Sequence, residues 1–120
     1  SKVIMNVQEL IIVVNGSLIT EPNPQSLSKV IKGGCGADLM SDVLKVDKEN
    51  ILLITGLANL QTIRTSEMSE INCIVFGRNK KISSEIISLA KENNMVIIES
   101  PYSVFRISGE LYNAGIKPLY

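Results

Sequence analysis

Three short segments, Ile51 to Thr55, Ile71 to Phe76 and Met95 to Glu99, are apolar at nearly every position. A strand with one wet face alternates apolar and polar side chains, because successive residues point to opposite sides of the sheet. Continuously apolar strands are instead buried on both faces and need cover above and below. The segments between them supply that cover. Leu57 to Met68 reads as a helix with Leu60, Ile63 and Met68 inward, and Ile82, Ile86, Leu89, Ala90 and Asn93 recur at intervals of three and four. Val104, Ile107, Ser108 and Leu111 trace the inner face of a last helix. Strand and helix in alternation with short links imply parallel strands and right-handed crossovers. The expected fold is α/β: a three-layer α/β/α sandwich with a mostly parallel sheet of four to five strands, in a single domain over residues 1–120.

Several boundaries carry their own signals. Ser83 is placed to cap a helix, with Ile82 before it to staple onto Ile87. The last helix is bracketed by Ser100 as cap, Pro101 in the first turn and Gly115 just past the end. Earlier in the chain, Val3, Val7 and Leu10 suggest a short helix over Ser1 to Leu10. The β-branched run Ile11 to Val14 suggests a strand closed by the Asn15-Gly16 turn. Ser17 to Ser28, polar and broken by Pro22 and Pro24, reads as a long exposed loop. Lys29 to Ile31 reads as a short strand entering a glycine-rich loop, Gly33-Gly34-Cys35-Gly36, with a helix from about Ala37 to Leu44 beyond it.

Composition removes whole classes of function. At 45% apolar and 20% charged residues, the chain is too apolar for disorder. Twelve basic residues balance twelve acidic ones, so no net field holds nucleic acid or an anionic membrane. Tyr102, Tyr112, Tyr120, Phe76 and Phe105 are too scattered for a base-stacking surface. No apolar run approaches the length of a bilayer span. With no histidine there is no Ser-His-Asp or Cys-His catalysis and no His-ligated zinc. We expect no catalytic residue, no metal and no cofactor. The two cysteines, and the lack of a charged segment leading into a hydrophobic one, fit a cytoplasmic protein with reduced thiols. Cys73 falls mid-strand as a small core residue. Cys35, in a loop before a helix, sits where a thiol pKa can be lowered, yet no basic partner is adjacent. Asp38 and Asp42, one helical turn apart, read as a solvated helix face.

Ligands of open parallel sheets bind beyond the carboxyl ends of the strands, near a switch in strand order. Three such ends are legible: Thr55-Gly56, Gly77-Arg78 and Ser100-Pro101-Tyr102-Ser103. Each precedes a helix, whose first N–H groups and dipole favour an anion, and Arg78 adds a charge-assisted donor for phosphate or carboxylate. Gly33 and Gly34 would let backbone approach a ligand closely. The segment lacks both the dinucleotide spacing and a Walker lysine. Turn and capping geometry would by themselves explain glycines and helix caps at all these places.

Taken in order, these motifs form a pattern. Lys32-Gly33-Gly34-Cys35-Gly36-Ala37-Asp38-Leu39-Met40-Ser41-Asp42-Val43-Leu44 resembles the glycine-rich stretch, followed by G-x-L-L-S-D-V, of DRTGG-domain proteins. Ile51 to Gly56 with Asn59, Ile71 to Gly77, the helix to Asn94 and Val96 to Phe105 resemble the rest of that family in the same order. The chain departs from the name-giving motif. It has Thr55-Gly56-Leu57 where many members have Gly-Asp-Arg, and Phe76-Gly77-Arg78 where many have Thr-Gly-Gly.

The resemblance implies a compact α/β domain related to the N-terminal domain of HPr kinase/phosphorylase, of a kind that accompanies CBS pairs, acts in regulation and has no catalysis of its own. Asp38, Gly56, Gly77, Ser100 and Pro101 are the positions it carries over. We therefore expect a non-catalytic regulatory module that takes a small anionic metabolite or nucleotide at the strand ends. The expected contacts are Gly33, Gly34, Asp38, Thr55, Gly56, Asn59, Gly77, Arg78, Ser100, Pro101 and Tyr102. The alternative is a homodimerisation module, or one that docks on a partner enzyme, without a small ligand.

Overall fold

The computed structural model describes residues 5–20, 24–37 and 49–120. In chain order its elements are β1 (Met5–Asn6), α1 (Val7–Val13), β2 (Ser17–Leu18), α2 (Pro24–Ser28), β3 (Val30–Ile31), β4 (Gly33–Gly36), β5 (Ile51–Thr55), α3 (Leu60–Met68), β6 (Cys73–Phe76), α4 (Ser84–Glu92), β7 (Val96–Glu99) and α5 (Val104–Asn113). Five strands form the main sheet in the order β2-β7-β6-β5-β4. β4 to β7 are mutually parallel, and β2 joins β7 antiparallel at the edge. β1 and β3 pair antiparallel as a separate two-stranded sheet.

The apolar strands are buried on both faces, as their composition requires. Leu52, Ile54, Cys73, Val75, Val96 and Ile98 point to one side, where Val7, Leu10 and Val14 meet Ile107 and Leu111 of α5. Ile51, Leu53, Ile74, Phe76 and Ile97 point to the other, against Ile63 of α3 and Ile86 and Ala90 of α4. The three layers are therefore α1/α5, sheet, and α3/α4. From β4 to β7 each crossover steps to the next strand in one direction, so right-handed connections put α3 and α4 on the same face. α5 leaves β7 for the opposite face and runs back across the sheet until Pro118 bridges Gly34 beside β4. The strands whose helices part to opposite faces are therefore β6 and β7.

The amino-terminal expectations need correcting. Ile11 to Val13 lie in α1 rather than in a strand, and that helix begins at Val7. Asn6 Oδ1 accepts from Glu9 N at 2.8 Å, and Asn6 N donates to Glu9 Oε1 at 3.1 Å. This reciprocal capping box contributes about 1 kcal/mol. Val7, Leu10 and Val14, at i, i+3 and i+7, are fully buried, and that burial outweighs the β propensity of the run. Ser17 to Ser28 is not one exposed loop. Ser17–Leu18 pairs with Glu99 and Ile98, Thr20 is buried with its Oγ1 accepting from Ile97 N at 3.0 Å, and α2 follows.

Gly33 to Gly36 is a strand, not a loop. A Cβ on Gly33 would lie 3.2 Å from both Ile51 Cδ1 and Lys117 O, and one on Gly34 would lie 3.3 Å from Ile116 Cγ2. These glycines admit the carboxyl-terminal segment, in which Lys117 O accepts from Gly34 N at 2.9 Å and Leu119 N donates to Gly34 O at 3.0 Å. The expected helix from about Ala37 to Leu44 lies almost wholly outside the described residues. α3 starts at Leu60 behind an Asn59 cap rather than at Leu57. Met68 is 70% exposed, so Thr62, Ile63, Thr65 and Ser66 make the inner face instead. The cap of α5 is Ser103, not Ser100, and Pro101 belongs to the turn before the helix.

Candidate functional site

Thr55, Phe76 and Glu99 stand in register across β5, β6 and β7. The chain therefore leaves the sheet at three adjacent points on one rim. Gly77 N donates to Thr55 O at 3.1 Å and Ser100 N to Phe76 O at 2.9 Å, which continues the ladder one step past the strands. The three expected strand ends are thus brought together.

Most polar groups at this rim have structural partners. Thr55 is buried, and its Oγ1 accepts from Leu57 N at 3.1 Å to turn the chain. Asn59 Oδ1 accepts from Thr62 N at 2.9 Å as the cap of α3. Ser100 is fully buried, and its Oγ donates to Val14 O at 2.7 Å while accepting from Tyr102 N at 3.1 Å. This hydroxyl pins the end of α1 to the turn after β7. Gly77 has no room for a side chain, since a Cβ would lie 3.1 to 3.3 Å from Tyr102 O, Ile107 Cδ1 and Val104 Cγ2. At Gly56 the nearest atom, Val104 Cγ2, is an ordinary 3.9 Å away. Pro101 is exposed and Tyr102 half-buried.

Between β6 and β7 the crevice expected at a switch point is tied across by backbone. Arg78 N donates to Tyr102 O at 2.8 Å and Asn79 N to Ser100 O at 2.9 Å. Both donors are left-handed, Arg78 at φ 65 and Asn79 at φ 51. Asparagine tolerates that region, whereas arginine there costs about 1 kcal/mol. The strained turn throws the exposed Arg78 side chain outward. Lys80 and Lys81 follow in the same connection, also exposed. Arg106, in the first turn of α5, lays its guanidinium carbon 3.7 Å from the Tyr102 ring centroid. Arg78, Lys80 and Lys81 thus lie in the connection that leaves β6 and Arg106 in the helix that follows β7, whose last residue is Glu99. Sequence reasoning missed Lys80, Lys81 and Arg106. The Lys80-Lys81 pair directly after Arg78, and the four-residue spacing from Tyr102 to Arg106, were the available signals.

Not every expected residue joins this rim. Gly33 and Gly34 sit at the amino end of β4, and Gly33 is separated from Gly36 by about 10 Å of strand. Asp38 and Asp42 lie outside the described residues. Gly34 and Gly36 open a groove under α5, shared with Ile54, Leu111 and Tyr112, of about 150 Å³. That is below the roughly 300 Å³ at which pockets for drug-sized ligands begin.

Thiol chemistry is disfavoured. Burial raises the pKa of Cys35, which lies in a strand and not in the kind of loop where a thiol pKa can be lowered. Burial pushes Cys73 up to about 12, against a smaller lowering by Lys29. Among the described residues no three cysteine, aspartate or glutamate side chains gather to hold a metal. Among the same residues no helix is long and apolar enough to cross a membrane.

No known family model matches the chain. No curated protein matches it either. Among solved structures, it is similar to the CBS and DRTGG domains of the regulatory region of Clostridium perfringens pyrophosphatase, complexed with the activator diadenosine tetraphosphate. The TM-score is 0.75 at 19% identity, over 95% of this chain and 48% of that one. The chain thus spans about half the length of that relative. At this identity the likeness concerns the fold, which is DRTGG-like.

Proposed function

We propose that this chain is a regulatory module, acting as one DRTGG-like domain in a reducing, cytoplasmic setting, that senses a small anionic metabolite of the nucleotide type. The ligand sits at the carboxyl rim of β5, β6 and β7 and undergoes no reaction there. One observation carries the reading. Arg78 occupies a left-handed position that favours glycine, and it offers its exposed guanidinium beside Lys80, Lys81 and the Tyr102–Arg106 stack. The Arg78 N–H serves the turn by donating to Tyr102 O, and the guanidinium, turned to solvent, supports a binding role. Phosphate groups suit the three cations of the Gly77–Ser83 connection, with the positive end of α5 adding to them. The regulatory region of similar fold, complexed with an activator nucleotide, supports the same class of ligand. Pairing with a second copy belongs to the proposal, because α5 turns two aromatic rings to solvent, Phe105 and Tyr112.

Thermal unfolding with and without AMP, ADP, ATP and diadenosine tetraphosphate tests the ligand. At ten times Kd, binding to the native state alone adds about 1.4 kcal/mol, a rise of roughly 5 °C for a chain this size. We expect a saturable rise that Arg78→Ala removes. No rise at millimolar ligand, or a rise that Arg78→Ala leaves intact, would overturn the reading.

A further inference from the structure

A nucleotide offers a base and a phosphate chain, and the rim is equipped unequally for the two. A base is held by stacking on a ring or by hydrogen bonds to its edges. The chain has two phenylalanines, three tyrosines and no tryptophan. Phe76 is fully buried. Tyr102, half-buried, packs against the core and carries the Arg106 guanidinium carbon 3.7 Å from its ring centroid, so a base would have to displace that cation. Phe105, Ser108 and Tyr112 share one stripe of α5, at i, i+3 and i+7. Ser108 and Tyr112 line the groove over Gly34 and Gly36 of β4. Tyr120 follows Pro118 and Leu119, which lie along β4. The three exposed rings thus belong to the β4 side, and β5 separates β4 from β6.

The side-chain oxygens that could read a base edge are committed to the chain itself. Thr55 Oγ1 accepts from Leu57 N at 3.1 Å, and Asn59 Oδ1 accepts from Thr62 N at 2.9 Å and from Thr62 Oγ1 at 3.0 Å. Ser103 Oγ accepts from Arg106 N at 3.1 Å, and Ser100 Oγ has both its partners. Asn79 stays exposed, where a bond to a base edge only replaces one to water. A site discriminates strongly when the wrong ligand leaves its buried polar groups unpaired, and a wrong base here would strand none of these. The cations are the reverse case. Arg78, Lys80 and Lys81 are exposed, and among the described residues none of them makes an ion pair. They fall within about 11 Å of chain. Given the rim ligand proposed above, we infer that the rim reads the length of a phosphate chain and is indifferent to the base. Its ligands are nucleoside polyphosphates of any base, or an inorganic oligophosphate, and Arg78, Lys80 and Lys81 set the preference for more phosphates.

Isothermal titration calorimetry of the full chain with AMP, ADP, ATP, GTP and inorganic tripolyphosphate tests it. We expect affinity to climb with each phosphate, by at least about tenfold from AMP to ATP. ATP and GTP should agree within about threefold, and tripolyphosphate should match ATP to the same degree. Replacing Lys80 and Lys81 together by alanine should shrink the AMP-to-ATP gap to below about threefold. Both lysines are exposed, and circular dichroism melts confirm that the double variant folds. A preference between ATP and GTP beyond about threefold, an AMP-to-ATP gap below about tenfold, or ATP bound without tripolyphosphate overturns the phosphate-length readout and leaves nucleotide sensing at the rim standing. A gap unchanged in the double variant overturns the part given to the lysines. Tripolyphosphate bound without any nucleotide keeps the phosphate readout and overturns the nucleotide ligand. No binding by any of the five at millimolar concentration overturns both.

Discussion

Replacing Ser100 by alanine should cost more than replacing Ser103, although sequence logic gives Ser100 the role of helix cap. Ser100 is fully buried and serves two partners, Val14 O at 2.7 Å and Tyr102 N at 3.1 Å. Alanine leaves a buried acceptor and a buried donor unpaired, at about 1–3 kcal/mol each, with some relaxation. A total of about 2–3 kcal/mol is expected. Ser103 caps α5 through one exposed bond to Arg106 N at 3.1 Å, so its loss costs about 1 kcal/mol. For 120 residues the unfolding entropy is near 0.25 kcal/mol/K, so the midpoints should fall by about 8–12 °C for Ser100→Ala and about 4 °C for Ser103→Ala. Denaturant titration in parallel gives the free energies directly. Equal losses, or a larger loss at Ser103, would refute the assignment of Ser100 as the pin between α1 and the rim.

Other outcomes follow from single residues. Ser66 Oγ is buried in α3 with no hydrogen-bond partner among the described residues, so Ser66→Ala should raise stability by about 1 kcal/mol; a loss in denaturant titration would mean the hydroxyl is bonded. Arg78→Gly relieves a left-handed arginine and should gain about 0.5–1 kcal/mol while abolishing the nucleotide-dependent thermal shift; a destabilised variant would show that the side chain holds the fold. Cys73 has its folded pKa raised from 9.0 to about 12 by burial. The unfolded thiol loses its proton first, so this contribution to stability is whole below pH 9 and is lost as pH rises towards 12, by at most about 1.4 kcal/mol per pH unit. Subtracting the pH profile of Cys73→Ala should reveal that slope, and a flat difference would contradict it.

The parallel core was legible because β5, β6 and β7 are apolar on both faces up to their last residues, Thr55 in β5 and Glu99 in β7, and a covered parallel sheet accepts such strands. Their ends fell together at one rim for the same reason, since parallel neighbours in register finish side by side. α1 was misread because Ile11 to Val14 looks like a strand until Asn6 and Glu9 are seen to cap each other. β4 was hidden because glycines have no hydropathy and so no period. Its direction, which puts Gly33 and Gly34 at the far end of the sheet from Arg78, depends on pairing with Ile51 to Ile54. Ser100 and Ser103 both stand near Pro101, and only contact with Val14, 86 residues away, separates pin from cap. Arg106 went unnoticed because its partner is the ring one turn back.

The most direct test of a nucleotide-sensing rim is amide chemical-shift mapping of the nitrogen-labelled chain during titration with ATP and diadenosine tetraphosphate. We expect saturable shifts confined to Gly56, Gly77 to Lys81 and Tyr102 to Arg106, with Gly33 and Gly34 unmoved and the response lost in Arg78→Ala. Shifts clustered at the amino ends of the strands, or none at millimolar ligand, would contradict it.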